Sequence, residues 1–154
     1  MAIEIERKFL VRDRSVLAAS EGLAYRQGYL SRDPDRTVRV RVAGPGAYLT
    51  IKGLSDGPSR AEFEYEIPVA DAEALLGLCE PSIVEKTRHR IEHRGRTWEV
   101  DVFHGANEGL VMAEVELPSA DAPVDIPDWI GDEVTADPRY VNANLASHPY
   151  QGWR

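Results

Sequence analysis

Stretch after stretch of this chain sets like charges two residues apart, sorted by sign. Glu4/Glu6, Glu62/Glu64, Glu99/Asp101 and Glu114/Glu116 are acidic pairs, whereas Arg39/Arg41 and Lys86/Arg88 are basic. A period of two belongs to an extended strand, so each pair occupies one face and apolar residues fill the other. Like charges at that spacing repel, and a face serving solubility alone would interleave the signs. Two orientations satisfy the pattern. Either the charges face water around an apolar centre, or they face one another across a lumen and the apolar faces need cover from outside.

The alternation divides into eight strands, at residues 3–11, 25–30, 37–43, 47–52, 62–67, 83–93, 97–103 and 110–117. Gly44-Pro45-Gly46 and Arg94-Gly95-Arg96 read as hairpin turns. Helical spacing predicts helices over 13–24 with Asp13 as N-cap, over 71–79 capped by Asp71, and over 138–146 behind Asp137-Pro138. Within 154 residues this is one domain spanning 1–154, α+β and mostly β. So many antiparallel strands in a short chain favour an eight-stranded antiparallel closed β-barrel with helices packed outside, because closure removes strand edges. The helices, or a homodimer interface, would cover the outward apolar faces.

A net charge of −8 lacks the broad basic field used to coat nucleic acid or anionic lipid, so neither partner is expected. No apolar run reaches the roughly 20 residues of a membrane span, and the N-terminus carries charge where a signal peptide needs an apolar core. The single cysteine, Cys79, excludes an internal disulfide and a thiolate metal cage, and its helical spacing from Leu75 and Leu76 reads as core filler. A cytoplasmic protein is expected. The four histidines lack metal-ligand spacing, and the sequence contains no phosphate loop, dinucleotide fingerprint or Ser-His-Asp set. Trp98 and Trp129 read as core before they read as stacking platforms.

Only three lysines, Lys8, Lys52 and Lys86, stand against fifteen arginines, each within a strand-like run. A compact ammonium is thus retained where a flat guanidinium would not serve. Carboxylates and cations gathered in one cavity suit a metal–phosphate complex, since Mg²⁺ takes carboxylate, phosphate and water oxygens while Arg grips phosphate in a fork.

Glu4-Ile5-Glu6-Arg7-Lys8 resembles the Glu-x-Glu-x-Lys signature of the CYTH superfamily, the triphosphate tunnel metalloenzymes. The rest of the pattern follows in order: Arg39-Val40-Arg41, Thr50-Ile51-Lys52, Glu62-Phe63-Glu64, Glu85-Lys86-Thr87-Arg88, Glu99-Val100-Asp101 and Glu114-Val115-Glu116. The tail around Glu133-Val134-Thr135 and Asp137 to Tyr140 resembles the short bacterial members. The resemblance implies a tunnel handling a triphosphate with Mg²⁺ or Mn²⁺. It assigns the phosphates to Lys8, Arg39, Arg41, Lys52, Lys86 and Arg88. Metal and water ligands would be Glu4, Glu6, Glu62, Glu64, Asp101, Glu114 and Glu116, with Glu4, Glu6 and Lys86 in catalytic roles. One departure stands near Val141, where the short members lead one to expect lysine.

The implied activity is hydrolysis of inorganic triphosphate, a small-molecule substrate, to orthophosphate and pyrophosphate. The alternatives are a class IV-type adenylyl cyclase and a thiamine triphosphatase. From other classes, a non-catalytic polyphosphate-binding module would need the cations without a full acidic set. A lipocalin-like carrier would need the apolar faces inward.

Overall fold

The computed structural model describes residues 3–153. Residues 1, 2 and 154, the ends of the expected domain, lie outside the described part. The strands are β1 (Ile3–Val11), β2 (Leu23–Ser31), β3 (Arg36–Ala43), β4 (Gly46–Gly53), β5 (Ser59–Glu66), β6 (Val84–His93), β7 (Arg96–Phe103), β8 (Val111–Glu116) and a short β9 (Ile130–Glu133). Eight of them close a ring in the order β5-β4-β3-β2-β6-β7-β8-β1, with Ile3, Glu4 and Ile5 of β1 completing the circuit against β5. All the pairings are antiparallel. Beyond Ile5, β1 is released from β5, and β9 takes up its far end at Phe9 and Val11.

The expected barrel is present with each like-charge pair on one face of its strand, and the local differences have physical causes. No strand was expected at β9, because four residues among prolines carry too short an alternation to read. The helix expected over 13–24 is a 3₁₀ turn, Arg14–Ala19, capped by Asp13, whose carboxylate accepts from the Ser15 N–H. Leu23 and Ala24 leave it for β2, where they pair with Arg88 and Thr87. The second helix, α1 (Val69–Leu76), begins after Pro68, so Asp71 lies in its first turn and is not its cap. The third divides into a 3₁₀ turn at Pro138–Tyr140, capped by Asp137, and α2 (Asn142–Ser147), with extended backbone at Val141 between them.

The outward faces are covered in sectors. α1 lays Ala72 and Leu76 on Val40, Val42 and Ala47, with Cys79 half-buried at the margin. Phe9, Trp98, Val100, Ala113 and Val115 pack beneath Leu17 and Trp129. The outer sector that includes Ile3, Phe63 and Tyr65 stays exposed. The inward faces are charged along most of their length and then turn apolar. Lys8 is followed by Leu10, Asp101 by Phe103, and Glu114 is preceded by Met112; these join Tyr29, Val84 and Leu145 of α2 in one cluster. That cluster forms a floor. α2 therefore contributes to the lumen as well as to the exterior.

Candidate active site

Above the floor lies a cavity of about 920 Å³, lined by Glu4, Glu6, Lys8, Arg39, Arg41, Lys52, Glu62, Glu64, Arg88, Glu114 and Glu116. The alternating charges point inward, which resolves the orientation left open by pattern alone. Lys86 and Asp101 sit behind this lining at the boundary with the apolar floor, 1 % and 2 % exposed. Lys86 Nζ stands 5.4 Å from the Phe103 ring centroid.

One part of the wall is self-neutralised. Arg88 donates to both oxygens of Asp101 at 2.7 and 2.9 Å, and Lys86 Nζ lies 2.7 Å from Asp101 Oδ2. Burial opposes ionisation of Asp101, but the Lys86 and Arg88 charges outweigh it and hold the carboxyl well below its usual range. Glu64 accepts from the buried Thr50 hydroxyl at 2.8 Å and pairs with Arg39 at 3.4 Å. Lys52 bridges Glu4 at 2.9 Å and Glu62 at 3.4 Å. Glu99 pairs with Arg88 and Arg90. Asp101 and Glu64, expected as metal ligands, thus hold cations in the arrangement described.

The adjoining part, at β8 and β1, is short of positive charge. β1 and β8 set Glu6 across from Glu116 and Lys8 across from Glu114. Lys8 reaches Glu6 only at 3.9 Å. Burial pushes the Glu6 carboxyl up to about 8, the Glu114 charge adds to this, and Lys8 only partly offsets it. Burial also raises Glu116, assisted by the charges of Glu4, Glu99 and Glu114. Glu114 goes the other way, down to about 2, because Lys8 and Arg88 outweigh its burial.

The cations show a matching need. Burial lowers Lys86 to about 7 despite Asp101, and lowers Arg41 to about 9 with help from Arg39 and Arg88. Arg39 Nε is buried without a hydrogen-bond partner among the described residues. A buried donor left unpaired is costly, and a phosphate oxygen would satisfy it.

Among the described residues no three acidic, imidazole or thiol groups already form a metal cage. Mg²⁺ usually takes one or two carboxylates and completes its shell with phosphate oxygens and water. The carboxylates of Glu6, Glu114 and Glu116, all hard oxygen donors, fit that demand. Charge-based reading missed the neutral members of the lumen: Tyr25, whose ring lies 4.9 Å from the Arg41 guanidinium and 5.0 Å from that of Arg88, and the buried Gln27, Tyr29, Thr50 and Asn142. For Tyr25, Gln27 and Tyr29 the signal was parity alone, since they share one face of β2. Trp98 is wholly buried against Phe9 and Trp129 outside the barrel wall, as core.

A closed antiparallel barrel whose lumen carries paired acids and bases defines a tunnel protein of the CYTH type. Residues 2–150 match the CYTH domain, and the chain belongs to that family. It is 52 % identical to the inorganic triphosphatase of Acetivibrio thermocellus over 155 residues, 100 % of this chain and 99 % of the relative. It is 41 % identical to the inorganic triphosphatase of Nitrosomonas europaea over 150 residues, 93 % of this chain and 96 % of the relative. The crystal structure of the inorganic triphosphatase NE1496 aligns with a TM-score of 0.65 at 37 % identity, covering 92 % of this chain and 96 % of that one.

Proposed function

We propose that this protein hydrolyses inorganic triphosphate to orthophosphate and pyrophosphate within the lumen, with Mg²⁺ or Mn²⁺. The observation that carries the reading is the division of the wall. Arg39, whose buried Nε has no hydrogen-bond partner among the described residues, shares the lumen with carboxylates that repel one another. The identity to two inorganic triphosphatases supports the choice of substrate.

Lys8, Arg39, Arg41, Lys52, Lys86 and Arg88 bind the phosphates, the arginines through their forks and the lysines as point charges. Glu6, Glu114 and Glu116, with Glu4 and Glu62 at their margin, face the metal side, while Glu64 and Asp101 orient cations. The divalent ion would offset phosphate charge and polarise the terminal phosphoryl group. With a bound cation favouring their ionised forms, Glu4 and Glu6 would orient a water in line with the terminal phosphorus and accept its proton as the new P–O bond forms. The bond from that phosphorus to the bridging oxygen breaks, and Arg39 and Arg41 meet the charge gathering on the leaving pyrophosphate, with Lys86 adding its charge from behind the lining. No helix among the described residues is long and apolar enough to cross a membrane, and we place the activity in the cytoplasm.

Phosphate release from inorganic triphosphate, ATP and thiamine triphosphate, compared with Mg²⁺ or Mn²⁺, tests the proposal. Inorganic triphosphate is expected to react fastest and Glu6→Ala to lose the reaction. Turnover of ATP alone, giving cyclic AMP and pyrophosphate, would overturn it in favour of a cyclase.

A further inference from the structure

The inner face of β2 carries no charge, although β2 lies between the basic strands β3 and β6. Gln27 on that face is 0 % exposed, and the mechanism above leaves it without a task. Its amide is engaged at both ends. Oε1 accepts from Arg41 Nε at 2.8 Å, and Nε2 donates to Asn142 Oδ1 at 3.1 Å. The same Asn142 oxygen accepts from Lys86 Nζ at 3.1 Å. A chain of polar contacts thus crosses from β3 through β2 to α2 and back to β6.

Arg41 on the lining and Lys86 just behind it repel one another. Lys86 shares Asp101 with Arg88, whereas Arg41 pairs with no carboxylate among the described residues. A carboxylate there would aim Arg41 but cancel the charge a phosphate needs. An amide oxygen aims a donor while leaving its charge intact. Each buried amide is in turn fixed by its neighbours, because leaving a buried polar group unpaired is costly. Neither Gln27 nor Asn142 can therefore turn without the other.

We propose that Gln27 and Asn142 form an amide bridge that positions Arg41 and Lys86 for the triphosphate reaction. The inference rests on the triphosphatase reading of the lumen. Gln27 directs the Arg41 fork, and Asn142, brought in by the C-terminal helix, directs the Lys86 ammonium. Both are positioning residues, since they act through the cations.

Gln27→Met, which keeps the buried volume, and Asn142→Leu are compared with wild type, singly and together. Nitrogen-detected NMR follows exchange of the Arg41 Nε proton. Loss of one hydrogen bond is expected to speed it roughly fivefold to tenfold in Gln27→Met, with strand amides unchanged. In steady state, Gln27→Met is expected to raise KM about tenfold through Arg41, and Asn142→Leu to lower kcat about tenfold through Lys86. The double variant should lose less than the product of the two single losses, because a bridge broken once is already broken. If Asn142→Leu does not fold, Asn142→Ala serves in its place. Unchanged Arg41 exchange in Gln27→Met, or losses that simply multiply, would overturn the bridge. Wild-type protein that hydrolyses no triphosphate, yet shows the expected release of Arg41, would sink the functional reading and leave the bridge standing.

Discussion

Two parts of one wall use the same residue types at the same spacing and do opposite things. On β6 and β7, Asp101 is matched by Arg88 and Lys86 within 3 Å. On β1 and β8, Glu6 and Glu116 face each other with Lys8 only at 3.9 Å from Glu6. The first arrangement carries its own counterions and acts as scaffold. The second holds carboxylates short of positive charge, and it is there that we propose the divalent ion binds. What a charged residue does here is set by its cross-strand neighbours more than by its own identity.

The largest expected effect tests the scaffold. Removing one member of a buried charge cluster leaves the others uncompensated, at a cost of about 3–5 kcal/mol. Asp101→Ala, which strands Lys86 and Arg88, is expected to lose stability of that order in urea titration. Glu116→Ala in metal-free protein should hold or gain stability, because it relieves repulsion. Equal losses in the two variants would erase the distinction.

The next effect uses pH. Folded Glu6 keeps its proton up to about pH 8, whereas unfolded Glu6 releases it near 4.5. The folded state binds more protons across that interval, so Glu6's contribution is complete below the lower value and drains as pH rises. Metal-free protein should lose about 1 kcal/mol per pH unit between pH 5 and 7. Lys86, lowered from 10.5 to about 7, has the opposite sign and acts above that window. Glu6→Gln should flatten the slope. Excess Mg²⁺ should also reduce it, since a cation favours the deprotonated carboxylates, and chelation should lower the melting temperature more at pH 7 than at pH 5.

A smaller contrast separates the two kinds of acid by kinetics. Glu116→Gln is expected to raise the Mg²⁺ concentration for half-maximal activity about 10–100-fold, as loss of an oxygen donor should. Glu64→Gln keeps an acceptor for Thr50 but removes the charge beside Arg39. It should change the triphosphate KM about tenfold and leave the metal requirement alone. A shift in metal requirement for Glu64→Gln would move that residue to the other side of the comparison.

The barrel was legible because a period of two survives any local context, and charge parity sorted Arg39 and Arg41 from Val40 and Val42 without ambiguity. Division of labour among the acids was not legible. It depends on contacts such as Lys52 with Glu4, 48 positions apart, which no local pattern records. Gln27 and Asn142 were invisible for a related reason. Neutral amides carry no charge signature, and they are 115 positions apart. The ending of the lumen could be traced only afterwards, where Lys8 gives way to Leu10 and Asp101 to Phe103 on unchanged parity.

The smallest expected effect lies outside the wall. Arg7 sits between Glu6 and Lys8 but on the opposite face, where it donates to both oxygens of Glu133 on β9 at 2.9 and 2.7 Å. By geometry the pair is as good as Arg88 with Asp101. Its surroundings differ, for the two side chains remain 29 % and 38 % exposed. Water and salt screen such a pair, and exposed pairs contribute about 0.2–1 kcal/mol. Glu133→Gln should therefore cost no more than about 1 kcal/mol, less in 1 M salt, with kcat and KM unchanged. A loss near that of Asp101→Ala would mean that burial does not separate the charges inside the barrel from those on its surface.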